Sequence, residues 1–453
     1  MSSYFSWRGL WLVGFLCMSS ILAPSVGAQF ELPPAPPQSS PEPIDAQQAR
    51  NMVYKFESSL SAEPDARIVA ARKFFAQAKD PLVKIEAVGM LDSRYVYSLP
   101  KDIFGDLLGP LLQDPVLAVR VRAARAVASN GLGKDHSTAL IALIKEEDIE
   151  AKLAALTAMG RSGDAKLEAI VVEHLRHPNG RVRGQAVFLL SGSPRHLREL
   201  AKLLEDPDGQ VRHNVLYSGV ELSPERLAKL AEDPSQQVRE GVVDALKGRD
   251  RPENRRTMAG LLKDSAPYVR GKAALALGEL KSKEHIKDVA ALIDDEDVYV
   301  RRVTTQALGH FADPNYRTAL EQLLQDPDAQ IPEYAVQSLA AIGDKASGKA
   351  IVPLLKHPNA GVRREAVAAL SKIGAKEYVK DILPLLDIKD EGDFRGAAVV
   401  AAAVRAVGRL GDASHLPKLR VMQCHPDQFV QDAARGAVAE IERGVPKAEG
   451  NRD

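Results

Sequence analysis

One phrase returns through most of this chain about every thirty-one residues, and that period constrains the fold more than any single residue does. Its clearest copy is Asp264-Ser265-Ala266-Pro267-Tyr268-Val269-Arg270-Gly271-Lys272-Ala273-Ala274-Leu275-Ala276-Leu277-Gly278. Other copies are Asp206-Pro207 with Val211-Arg212, Asp233-Pro234 with Val238-Arg239, Val300-Arg301 with Ala307-Leu308-Gly309, and His357-Pro358 with Val362-Arg363 and Ala369-Leu370. The arginine position supplies twelve anchors: Glu86, Arg120, Lys152, Arg183, Arg212, Arg239, Arg270, Arg301, Pro332, Arg363, Val400 and Gln431. The steps between them contract to twenty-seven residues at Arg212–Arg239, hold at thirty-one from Arg239 to Arg363, and stretch to thirty-seven before Val400.

Each period reads as two helices. The first is an apolar-periodic run such as His285–Ile293 or Tyr316–Leu324. Asp before Pro then starts a turn, and its carboxylate is expected to cap the second helix. Proline suits the first helical position, where its missing N–H costs little. In the second helix Val269, Ala273, Ala276 and Leu277 share one apolar stripe, and Gly278 is expected to end the helix in the left-handed conformation. A two-helix unit cannot bury both faces alone, so units stack. Twelve such units at about 8–10 Å per helix layer make a curved rod on the order of 100 Å long.

The Asp-Pro turn, three variable residues, Val-Arg and an Ala-rich helix ending in Leu-Gly together resemble the HEAT repeat family, in its short phycobilisome-lyase-like variant. The resemblance spans roughly residues 80–442 and implies an all-α fold, an α-solenoid of about twelve two-helix HEAT-like repeats. It also implies a ladder of Arg–Asp bonds between repeats, with Arg183, Arg212, Arg239, Arg270, Arg301 and Arg363 facing Asp206, Asp233, Asp264, Asp295 and Asp326. Pro332 is expected to delay its helix and break the ladder. Val400 follows an insertion whose acidic run, Asp387–Asp393, either extends a binding face or is drift in a loop.

Residues 1–28 read as an export signal: a weakly basic start to Arg8, an apolar run from Gly9 to Ala23, then small Val26 and Ala28 before Gln29. The alternative is an uncleaved anchor, although the apolar run is short for a membrane span. Residues 29–43 form a Pro-rich linker, 44–79 an N-terminal pair of capping helices, 80–443 the solenoid, and 444–453 a disordered tail. The expected location is periplasmic or extracellular, with no integral membrane span after signal cleavage.

Lys plus Arg equals Asp plus Glu, 60 each, so no strongly basic field exists to gather phosphates and nucleic acid is not an expected partner. After signal cleavage one cysteine remains, Cys424, read as a buried small residue, with an intermolecular disulfide or a reactive thiol as the alternative. Both tryptophans, Trp7 and Trp11, fall in the signal. Arg120, Arg122 and Arg125 read as ladder and solvated helix face. The acidic run Asp294–Asp297 lacks the Gly and distal Glu of a calcium loop. His177, His357 and His425 stand where other repeats carry the turn Asp, several repeats apart, so they cannot share a metal. No metal-ligand, nucleophile-elbow or phosphate-loop motif is present. The reading is therefore no catalytic residue, no cofactor and no metal.

What remains is surface. Second helices are expected to line the concave face, and the residues one before, three after and six after each Val position point toward it. They give the candidate partner-binding set Gln185, Phe188, Asn214, Tyr217, Tyr268, Lys272, Tyr299, Gln306, Tyr334 and Gln337. Tyrosine combines apolar area with one hydrogen-bonding tip at low conformational cost, which suits capture of a protein or peptide. The expectation is a monomeric, non-enzymatic exported scaffold assisting an envelope complex. The alternative is a lyase-like enzyme or enzyme subunit acting on a small molecule or modified protein.

Overall fold

Each copy of the phrase folds into the two helices that its apolar spacing predicts. A computed structural model describes residues 44–59, 64–92, 101–328, 330–387 and 394–444. The expected signal, linker and tail, and the insertion from 388 to 393, lie outside these. Among the described residues every regular element is helical. The second helices are Pro81–Asp92, Leu117–Asn130, Ile149–Gly160, Gly180–Leu190, Gly209–Leu216, Gln236–Lys247, Pro267–Glu279, Val298–Phe311, Ile331–Ile342, Ala360–Lys372, Phe394–Leu410 and Gln428–Gly444. Each is preceded by a first helix, from Pro64–Gln77 to Leu416–Met422. Helix Ala46–Ser58 precedes them all and packs on Pro81–Asp92, extending the layer of second helices by one.

Successive second helices pack tightly along their length, whereas successive first helices touch little. Second helices therefore form the closer-packed layer of the stack. Small residues permit the close approach. A Cβ added at Gly278 would lie 2.7 Å from Ala307 Cα, and one at Gly408 2.7 Å from Ala437 Cα. The expectation that Gly278 ends its helix in the left-handed conformation is therefore corrected. Its neighbour's backbone leaves no room for a side chain, and the left-handed residue is Lys281. Elsewhere the role is filled as expected, by Gly131 and Gly343 closing their helices.

The second helices bury more than a stripe. Val269, Gly271, Ala273, Ala274, Ala276, Leu277 and Gly278 are all buried in one helix, because it packs against its own first helix and against both neighbours. Leu277 and Val269 are fully buried, each worth about 1.5–3 kcal/mol of transfer free energy. Most first helices are shorter, and several end in a tight 3-10 turn, as in Leu203–Glu205 and Leu323–Gln325, which feeds the chain into the Asp-Pro corner.

At that corner the aspartate does something other than cap the helix. Asp206 Oδ1 accepts the backbone N–H of Asp208 at 2.8 Å, closing the turn. The helix cap is the next residue pair along: Asp208 accepts from Gln210 N, and Asp297 from Tyr299 N and Val300 N. This leaves the turn carboxylate facing the previous repeat, where an arginine meets it. Arg183 donates Nε and Nη2 to Asp206, both at 2.7 Å. Arg212 meets Asp233 at 2.7 and 2.6 Å, Arg239 meets Asp264 at 2.6 and 2.8 Å, and Arg270 meets Asp295 at 2.9 and 2.8 Å. Arg301 Nε reaches Asp326 at 3.2 Å. Each arginine also gives Nη1 to carbonyls of its own turn, as Arg270 does to Asp264 O at 2.8 Å.

The ladder follows a rule inside this one chain. Lys84 and Arg120 extend it toward the N-terminus, onto Asp114 and Glu146. Where the next turn holds histidine, the preceding anchor is not arginine: Lys152 comes before His177, Pro332 before His357 and Val400 before His425. The imidazole then closes the turn as an acceptor. His177 Nδ1 takes Asn179 N at 3.1 Å, His357 Nδ1 takes Asn359 N at 3.1 Å, and His425 Nδ1 takes Asp427 N at 3.0 Å. Helix Ile331–Ile342 starts two residues later than its counterparts relative to the anchor, as Pro332 foretells. Arg363 keeps its own-turn bonds to His357 O and Pro358 O at 2.8 and 2.9 Å. The turn that would supply its carboxylate, residues 388–393, lies outside the described residues.

Candidate binding face

The expected contact residues divide by what they already touch. Gln185 Nε2 donates to Thr157 Oγ1 at 3.1 Å, and Asn214 Nδ2 donates to Gly184 O at 3.0 Å. Both amides are thus used in tying one second helix to the one before it. Phe188, Tyr217 and Tyr268 stay open, at 61%, 54% and 46% exposure, which is high for large apolar side chains on a packed helix. Gln337 is also exposed, while Gln306 and Tyr334 are partly buried.

Two of the expected residues converge on one that the repeat reading passed over, Asp244, and two more adjoin them. Tyr217 Oη donates to Asp244 Oδ2 at 2.6 Å, and Lys272 Nζ donates to the same oxygen at 2.7 Å. The Lys272 ammonium lies 6.0 Å from the centre of the Tyr268 ring. Tyr268 in turn stacks on Tyr299, with ring centroids 5.1 Å apart and an interplanar angle of 19°. Gly271 makes this stack possible, since a Cβ there would lie 2.6 Å from Tyr299 Cε1. His213 packs on Tyr217 at 5.0 Å from the other side. Three consecutive second helices, Gly209–Leu216, Gln236–Lys247 and Pro267–Glu279, and Tyr299 of the next are thereby joined by side chains on one face.

Burial, together with neighbouring Tyr268, pushes the Tyr299 hydroxyl up to about 12. Burial and the bond to Asp244 push the Tyr217 hydroxyl up as well. Both stay protonated donors at neutral pH. The cluster therefore offers flat aromatic area, one ammonium already neutralised by a carboxylate, and hydroxyl tips. Asp244 sits six after Val238, the register of Tyr217 and Gln306, but an acid on a helix reads as solvent-facing, and only the fold brings it between two donors.

The remaining expected residues stand apart. Tyr334 is partly buried, and Arg302, on the preceding second helix, is paired with Asp328 at 2.8 and 2.5 Å. Among the described residues no group of three or more His, Cys, Asp or Glu is placed to hold a metal ion, and no helix is long and apolar enough to cross a membrane. Cys424 is exposed, which corrects the expectation of a buried thiol. It stands just before the turn, where other repeats carry the exposed polar residues Glu205, Lys263, Gln325 and Lys356.

The model of the HEAT repeats family matches residues 223–309 and 316–403. No curated protein matches the chain. Among solved structures, a chain of the complex of Kap95p with RanGDP is similar at a TM-score of 0.58 and 11% identity, over 89% of this chain and 73% of that one. A chain of the Kap95–Nup1 complex gives 0.49 and 15%, over 89% and 63%. A chain of the complex of CpcE and CpcF of phycocyanin lyase from Nostoc sp. PCC7120 gives 0.34 and 20%, over 51% and 91%. Only the first of the three bears on the architecture, and it bears on the fold alone. By sequence, residues 223–309 and 316–403 of this chain are homologous to HEAT repeats, and the same two-helix unit continues on either side of them.

Proposed function

We propose that the chain is a non-enzymatic scaffold that holds a protein, or an extended segment of one, along the face of its second helices, and that it does so outside the cytoplasm as part of an envelope complex. The observation that carries this reading is the set Phe188, Tyr217 and Tyr268, open to solvent, with Tyr268 stacked on the half-buried Tyr299 and Asp244 bonded to Tyr217 and Lys272. A rigid aromatic surface on packed helices contributes contact area with little ordering cost to the scaffold. The architecture also serves protein binding elsewhere: Kap95p binds RanGDP in the complex whose chain this one resembles. The export part of the proposal rests on the order of basic, apolar and small residues in 1–28.

The test is an affinity purification after crosslinking in intact cells, comparing the natural chain with a Phe188→Ala, Tyr217→Ala, Tyr268→Ala variant of unchanged helical content. The proposal expects one protein enriched by the natural chain and lost from the variant. Equal recovery of that protein by both would refute the face assignment. The size of the chain recovered from cells, shortened by residues 1–28 or not, tests the signal separately.

A further inference from the structure

The opposite side of the molecule is open where the repeat contracts. Helices there are cut short, to Leu197–Lys202, Gly209–Leu216 and Pro224–Leu230. Three cavities of about 370, 580 and 480 Å³ follow one another across these repeats. The first two share Lys202, and the last two share Glu221, Leu222 and Ser223, so they make one furrow.

Its last cavity ends on a buried group that wants a donor. Asn254, 1% exposed, lines that cavity and donates Nδ2 to Arg249 O at 2.6 Å. The carbonyl fixes the amide orientation, because the reverse would set two acceptors against each other. Asn254 Oδ1 is thereby buried without a partner among the described residues, an arrangement proteins avoid unless something else completes it. Arg249 and Arg251 also line the cavity; Arg249 Nη1 donates to Ala245 O at 3.4 Å, and neither arginine is in an ion pair among the described residues. Helix Pro252–Leu261 begins at the same place, capped by Arg251 with no side-chain bond, so the positive end of its dipole lies at the cavity. Glu221 is the one carboxylate in the lining.

Two guanidinium groups and a helix N-terminus call for an anion. An unpartnered carbonyl oxygen among them calls for an N–H on the same ligand. A peptide carboxy-terminus carries both, its last N–H one carbon away from its carboxylate. We propose that this cavity binds the carboxy-terminal residue of a peptide or protein. The carboxylate lies on Arg249, Arg251 and the helix N-terminus, and the last N–H on Asn254 Oδ1, a buried atom that binding uncovers. The preceding residues run along the furrow toward Lys202. This site is independent of the aromatic face.

The experiment is fluorescence anisotropy with three fluorescein-labelled nonapeptide pools of randomised sequence. One has free carboxy-termini, one is amidated, and one is amidated with a fixed internal aspartate. The free pool is expected to bind the protein about tenfold more tightly than the amidated pool, the scale of one charge-assisted bond network. Arg251→Gln is expected to remove that advantage with helical content unchanged, and Phe188→Ala with Tyr268→Ala to leave it intact. Equal binding of the free and amidated pools, or an Arg251→Gln variant that keeps the advantage, overturns the proposal. Binding of the aspartate pool as tight as that of the free pool overturns the assignment to a terminus in favour of an acidic side chain.

Discussion

Arg270 and Asp295 share two parallel hydrogen bonds, Nε to Oδ2 at 2.9 Å and Nη2 to Oδ1 at 2.8 Å, across the boundary between two repeats. Both side chains are about nine-tenths buried. Asp295 Oδ1 also accepts the N–H of Asp297, and Arg270 Nη1 donates to carbonyls of its own turn. One pair therefore fixes the turn before it, the turn after it and the register between them. Asp295→Asn leaves a buried guanidinium without its charge partner, and the expected loss is about 3 kcal/mol in urea unfolding. A loss under about 1 kcal/mol, the size of an exposed pair, would show that the ladder contributes only at the surface level.

Gly278 and Gly260 separate two uses of glycine. A Cβ at Gly278 would press on Ala307 at 2.7 Å, while one at Gly260 meets nothing within 4 Å. Gly278→Ala is expected to cost about 1–3 kcal/mol through displaced helices. Gly260→Ala is expected to raise stability by up to about 1 kcal/mol through helix propensity. Thermal unfolding of the two variants tests both signs.

Acid should weaken the fold in two stages. Burial, then Lys152 and His174, holds His177 below the ordinary histidine value. The folded state thus binds fewer protons than the unfolded one, and stability present above about pH 6.5 is lost as pH falls below it. The Arg270 bond holds the Asp295 carboxyl below its ordinary value. For Asp264, burial pulls upward and the Arg239 bond outweighs it. Their stability is present above about pH 4 and is lost below it. His177→Asp sets a carboxylate opposite Lys152 and should flatten the upper stage in urea midpoints measured from pH 7.5 to 5. An unchanged slope would assign that stage to other groups.

Cys424 should react with a thiol reagent in the native protein at the rate of an open cysteine, since it is exposed at a repeat turn. Reaction only after denaturant is added would mean that something covers that turn in solution.

How far the sequence reaches differs between fold and face. The period, the Asp-Pro corner and the Val-Arg pair place every second helix, because helical spacing and turn chemistry are local. The delayed start at Pro332 follows from the same reasoning. The role of Gly278 does not, since a close approach of Ala307 is a property of two repeats together. Nor does the division of labour between Asp206, which holds the turn, and Asp208, which caps the helix, since both are acids only two positions apart. On the face, the register rule finds Tyr217, Lys272 and Tyr268. It cannot show that Gln185 and Asn214 are bonded inward, nor that Asp244 joins Tyr217 to Lys272, because those partners come from adjacent repeats.

The most direct test of the account places a photo-crosslinking amino acid at position 188 or 268, on the second-helix face, or at Lys229, exposed on a first helix. After illumination in cells, the adducts are resolved by mass. One protein adduct shared by positions 188 and 268 and not found at 229 is the predicted result. The same adduct at 229 with none at 188 and 268 would contradict it.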